Sequence, residues 1–153
     1  MSGFQKIGVD VSEAAPTAQF TLGAHHATEN GDVFKYVQYA EGSGAVAAVV
    51  GNVAYYTSGG GYTASEVTSD LTDSDEIGAG VLQTAMPDGY FGWVKIKGSA
   101  TLASALTAGT DGDILTPTGA TDGTLDLTTA ATDHQCAIAV DAAVNEVACD
   151  FPF

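Results

Sequence analysis

The sequence predicts an all-β protein, a single compact sandwich- or barrel-like domain with an extended N-terminal arm. Three observations carry this. Helical periodicity is poor along almost the whole chain. Nineteen glycines recur among many Thr and Val. Short apolar runs alternate with turn residues every ~8–12 positions, the spacing expected of sandwiches and barrels. The 153 residues fit one domain, and a chain of that length buries roughly 68–70% of its unfolded surface, enough for a core without metal or disulfide staples.

Residues 1–22 read as the arm and residues 23–153 as the β-rich domain. In the arm, Ile7, Val9 and Val11 alternate with Gly8 and Asp10, which suits one strand before Pro16 interrupts. A lone strand must pair either with its own body or with another chain by strand addition. Asn30-Gly31-Asp32 is a turn signal. Val33–Tyr39 follows as a strand with large side chains on both faces: Val33, Lys35, Val37 and Tyr39 on one, Phe34, Tyr36 and Gln38 on the other. That pattern predicts a central strand packed on two sides. Ala45–Val50 and Val53–Thr57 read as a hairpin across Gly51-Asn52.

Ser65–Glu76 is the most acidic window and reads as an exposed loop. Val81-Leu82-Gln83 resumes a short strand, Met86-Pro87-Asp88-Gly89 turns, and Tyr90–Lys97 is the next strand. Leu102–Leu106 reads as one helical turn or a short strand, and Asp113–Thr116 and Leu125–Thr128 as strands. A final hairpin joins Cys136–Val140 to Asn145–Cys149 through a loop over Asp141–Val144. A four-residue loop sets Cys136 opposite Cys149, Ile138 opposite Val147 and Val140 opposite Asn145. Both cysteines, Ile138, Val140 and Val147 then share one face.

Four lysines stand against nineteen Asp and Glu, for a net charge of -15. Nucleic-acid binding is disfavoured, because affinity for a duplex comes from cations that displace its counterions. An anionic membrane surface is disfavoured for the same reason. No apolar run approaches the ~18 residues of a spanning helix. The opening MSGFQKIGVDVSEAAP has no hydrophobic block, so it does not read as a secretory signal.

No catalytic, cofactor or metal signature emerges. Opposed strand positions would bring Cys136 and Cys149 within disulfide range. The other reading, two free buried thiols acting as small hydrophobes, suits assembly in a cytosol. His25, His26 and His134 lie in no motif, and neighbouring histidines on an extended chain point apart. Asp73, Asp75, Glu76 and Gly78 hint at a calcium loop, but Ile77 takes a ligand position and Thr84 stands where a bidentate Glu is needed. An acidic hydrolase has nothing specific in its favour. The richest segment is Phe91–Lys97, which holds the only tryptophan. Tyr90, Gly92, Val94 and Ile96 form its core face. Phe91, Trp93, Lys95 and Lys97 form the other, either a half-exposed sheet face or a docking face with aromatic anchors and cations. Exposed, coplanar Phe91 and Trp93 would instead suit the stacking of sugar rings, the mark of a carbohydrate- or host-surface-binding module.

Several segments together resemble a known type: GVDVSEAAPTAQFTLG, GDVFKYVQ, PDGYFGWVKIKG, AGTDGDILTPTGATDGTLD and AIAVDAAVNEVACDFPF, in that order. The chain is similar to head decoration (cement) proteins of tailed bacteriophages, marine phages especially, with FGWVKIKG the most specific piece. The resemblance implies a non-enzymatic virion protein, assembled in the host cytoplasm. It would bind the outer surface of the major capsid protein shell, as a homotrimer at three-fold and quasi-three-fold axes, and stabilise the head. It also implies that Ile7, Val9 and Val11 add a strand to the capsid protein. The expected interface residues are therefore Ile7, Val9, Val11, Phe91, Trp93, Lys95 and Lys97, with no nucleic acid and no membrane.

Overall fold

The computed structural model describes residues 8–153, and Ile7 lies outside them. In chain order the elements are β1 (His25–Ala27), β2 (Val33–Tyr39), β3 (Val53–Thr57), the single-turn helix α1 (Gly61–Ala64) and β4 (Glu66–Thr68). Then follow β5 (Ser74–Leu82), β6 (Phe91–Thr101), β7 (Ile114–Thr116), β8 (Asp126–Leu127), β9 (Ala137–Asp141) and β10 (Glu146–Asp150). All ten strands belong to one sheet. The all-β class expected from the sequence is the class observed.

Five strands close on themselves. β2 pairs with β4, β4 with β3, β3 with β5, β5 with β6, and β6 returns to β2. The β2–β4 pair is parallel and the other four are antiparallel. Closure of this kind removes free edges from the ring. β6 is the longest strand, at 11 residues. Its far end, Lys97–Thr101, outruns the ring and pairs with β10, starting an extension in the order β10–β9–β7–β8. β1 pairs with the first residues of β2.

Strand parity explains two packing layers. Val37 and Tyr39 of β2, with Val94 and Ile96 of β6, enter the main core beside Val53, Tyr55, Val67 and Val81. That core continues under the extension as Leu115, Leu125, Ala139, Val147 and Phe151. The opposite faces of β2 and β6 bring Phe34, Tyr36 and Trp93 into a second cluster. β2 therefore lies between two layers, as its two-sided apolar pattern predicts.

Three local expectations are overturned. Ala45–Val50 is not a strand: the chain turns at Ala45, with φ 51°, and only Ala48 of this stretch is buried. Ser65–Glu76 is not an exposed loop. It supplies β4, a 3-10 turn over Leu71–Asp73 and the start of β5, and it buries Thr68, Ser69 and Asp70. Its polar groups go inside because each finds a partner: Ser69 Oγ donates to the Val53 carbonyl at 2.9 Å and Ser69 N–H to Tyr39 Oη at 3.2 Å. Leu102–Leu106 forms neither a helical turn nor a strand.

The final hairpin exists, but its register is one residue from the expected one. Ala139, not Ile138, faces Val147, and Ala137, not Cys136, faces Cys149. A 3-10 turn over Ala142–Val144 ends at Asn145 in the left-handed region, and a bulge sits between Glu146 and Val147. The bulge absorbs one residue, and a slip of one residue exchanges the two faces of a strand. Ala137 and Ala139 point to the core, while Ile138 and Val140 point outward.

Candidate interaction surfaces

On β6, Trp93 lies opposite Tyr36 of β2, with ring centroids 5.0 Å apart. The N-terminal arm covers this pair. Phe20 meets both rings edge-on, at 5.2 Å from Tyr36 and 5.3 Å from Trp93. Val9, Val11, Ala24 and Phe91 pack around the cluster. Ala15 pairs with Phe91 through reciprocal backbone hydrogen bonds of 3.0 and 2.9 Å, and Gln19 N–H donates to Tyr36 Oη at 3.0 Å. Trp93 is only 2% exposed. A void of about 150 Å³ remains between the arm and the two rings.

Of the expected docking face, Trp93 is buried within the chain, Phe91 and Lys95 are half-buried, and the Lys97 side chain stays 39% exposed. The parity split of the strand is as expected, and the arm covers the aromatic end of its second face. Val9 and Val11 form no strand and are partly buried against the Trp93 cluster; Asp10 instead holds a turn by accepting from Ser12 N–H at 2.9 Å. The arm and the aromatic strand, each a candidate interface from the sequence, meet each other. Among the described residues, the arm's strand pairing is one bridge, Ala15 to Phe91.

The lysines among the described residues are engaged as well. Lys95 Nζ lies 3.3 Å from the Asp32 carboxylate, donates to the Ser99 carbonyl at 2.9 Å and sits 5.5 Å from the Phe34 ring centre. Lys97 Nζ is 2.9 Å from Asp150 and 5.2 Å from the Phe153 ring centre. Lys35, 5% exposed, donates to Tyr56 Oη at 2.7 Å and lies near the ring faces of Tyr56 and Tyr62. Burial holds the Lys35 ammonium below the usual lysine range. Burial, then the charge of Lys35, does the same to His25.

Cys136 and Cys149 are free and buried. Burial pushes the Cys149 thiol up to about 12 and raises Cys136 too, so both stay protonated and are weak nucleophiles. Two acids at or beside the suspected calcium loop, Asp70 and Asp73, serve the backbone. Asp70 accepts from Gly44 N–H at 2.8 Å and from Thr72 N–H at 3.0 Å, and Asp73 accepts from Ser43 N–H. That last bond, foremost, holds the Asp73 carboxyl below the usual carboxylate range. Among the described residues, no three or more His, Cys, Asp or Glu side chains gather as a metal site, and no helix is long and apolar enough to cross a membrane.

Two surface features were missed from the sequence. The first is an exposed aliphatic cluster on the outer face of the extension. Ile114 and Ile138 are direct register partners on β7 and β9, at 41% and 48% exposure. Val140 on the same face and Val144 at the hairpin end follow at 48% and 56%. The signal that could have found it was Asn145, a residue suited to the left-handed position that ends the turn and shifts the register. The second is a cleft of about 510 Å³ between Tyr62, Ile77, His134 and the C-terminal Phe151-Pro152-Phe153. Tyr62 Oη donates to the Phe153 carbonyl at its rim. Gln135, Cys136 and Asp150 line both this cleft and a smaller hollow beside Ile114 and Ile138, so the two features are continuous. No protein-family model, curated protein or solved structure matches the chain.

Proposed function

We propose that the chain is a non-enzymatic virion structural protein that binds the outer surface of a phage capsid and stabilises the head shell. It would act as a homotrimer at three-fold and quasi-three-fold positions. The observation that carries this reading is a closed β ring whose sheet extension presents an exposed aliphatic face, Ile114, Ile138, Val140 and Val144, while the lysines among the described residues are held within the fold. Apolar clusters of this kind, as opposed to singly scattered residues, mark interaction surfaces. Many copies on a lattice add avidity, so each contact can be weak. The family resemblance of the sequence supports the same reading. The carbohydrate-binding alternative needs an open indole, and Trp93 is shielded.

The test is co-sedimentation with undecorated, expanded phage shells. Saturable binding, together with shells that resist heating better once coated, is the expected outcome. A chain that stays in the supernatant at every concentration refutes the reading.

A further inference from the structure

We infer that the outer face of β7–β9–β10, with the adjoining cleft at the C-terminal tail, docks a protein surface of a specific chemistry: apolar at its centre and rimmed by Lys or Arg. The centre of the face is aliphatic and free of charge. Its margins are acidic. Asp113 precedes β7, Asp141 ends β9, and Glu146 and Asp150 bound β10. An uncharged core with a polar rim is the usual anatomy of a protein interface.

The sign of the rim selects the partner. Each lysine among the described residues is already held within the chain, on Asp32, on Asp150 or against tyrosine rings. The chain's net charge is -15. A second copy brought onto this face would set its own acids against Asp113, Asp141 and Glu146. Like charges at a rim oppose association, whereas a basic rim steers it. The occupant is therefore a basic partner, not a second copy. Continuity with the cleft adds a place for one large apolar side chain between Tyr62 and Phe153, beside the Asp150 carboxylate.

That the partner is a shell protein rests on the function proposed above; its chemistry does not. The full chain is titrated onto undecorated expanded shells at low and high salt. The variants are Ile138→Thr/Val140→Thr, which keeps β-branched residues at two half-exposed positions, and Val50→Ser, at an exposed aliphatic elsewhere. The expected result is binding that weakens with salt, falls about tenfold or more in the double variant and is unchanged in Val50→Ser. Equal binding by the double variant overturns the inference and leaves shell binding standing. If the wild-type chain ignores shells, the shell reading falls, and the face is probed by calorimetry with a synthetic helical peptide carrying leucines on one side flanked by lysines. Salt-sensitive binding lost in the double variant supports the inference; no binding, or equal binding, overturns it. Self-association of the chain alone that strengthens with salt and needs Ile138 also overturns it, by making a second copy the occupant.

Discussion

Replacing Trp93 by alanine is expected to destabilise the chain by about 3–5 kcal/mol, the usual cost of truncating a buried large aromatic. The site cannot collapse easily. Trp93 is held between Tyr36 of the neighbouring strand and Phe20 of the arm, and the arm is tied to Phe91 and Tyr36 by hydrogen bonds. Losing the indole removes the surface on which the arm rests, so the arm loosens as well. Domains of this size are stable by only about 5–15 kcal/mol, so the loss is a large fraction of the total. Urea unfolding reads it directly, as a lower midpoint at an unchanged slope. A Trp93→Ala variant with wild-type stability would mean that Trp93 serves a surface and not the fold.

Gly80→Ala is expected to cost about 3 kcal/mol or more through two additive effects, backbone strain and overpacking. Gly80 sits in β5 with φ +144°, a conformation that residues with side chains rarely adopt. An added Cβ would also lie 2.8 Å from the Lys95 carbonyl oxygen and 2.9 Å from Val94 Cβ, within the closed ring. Neither neighbour can yield without disturbing the β5–β6 pairing. Gly59→Ala is the control. Gly59 also has positive φ, +81°, but nothing lies within 4 Å of the added Cβ. Its cost should be only about 1 kcal/mol, the left-handed penalty alone. The difference between the two midpoints measures the clash at the ring, and equal costs would show that β5 and β6 do not approach so closely.

Local chemistry made much of the fold legible in the sequence. Val33–Tyr39 and Val53–Thr57 are strands with the expected limits, since β-branched and aromatic residues run between clear turn signals. Met86–Gly89 turns as expected, with Tyr90 N–H bonding the Pro87 carbonyl at 3.0 Å. Parity assigned Val94 and Ile96 to the core correctly. The missed parts depend on distant partners. Ser65–Glu76 looks solvated until Val53 and Tyr39 accept its polar groups. Ring closure joins strands far apart in the chain, which period-two patterning does not encode.

The candidate surfaces were legible in composition but not in exposure. Phe91, Trp93, Lys95 and Lys97 do share a face, yet nothing local to them reveals that Phe20, Val9 and Val11 fold back over it. The aliphatic face was hidden for a different reason. A loop count alone puts Ile138 opposite Val147 and inside, and only the bulge after Asn145 turns it out. Two buried alanines, Ala137 and Ala139, take the core positions instead.

Trp93 is the chain's only tryptophan, so collisional quenching by acrylamide reports on one position without labelling. Packing of the arm against the aromatic strand is what turns the proposed contact surface to the outer face of β7–β9–β10, and the native chain tests this packing directly. Strong shielding of the indole, with blue-shifted emission and quenching far below that of the urea-unfolded chain, is the predicted result. Native quenching close to the unfolded value would contradict it, returning Phe91, Trp93 and the arm to the solvent as the docking face.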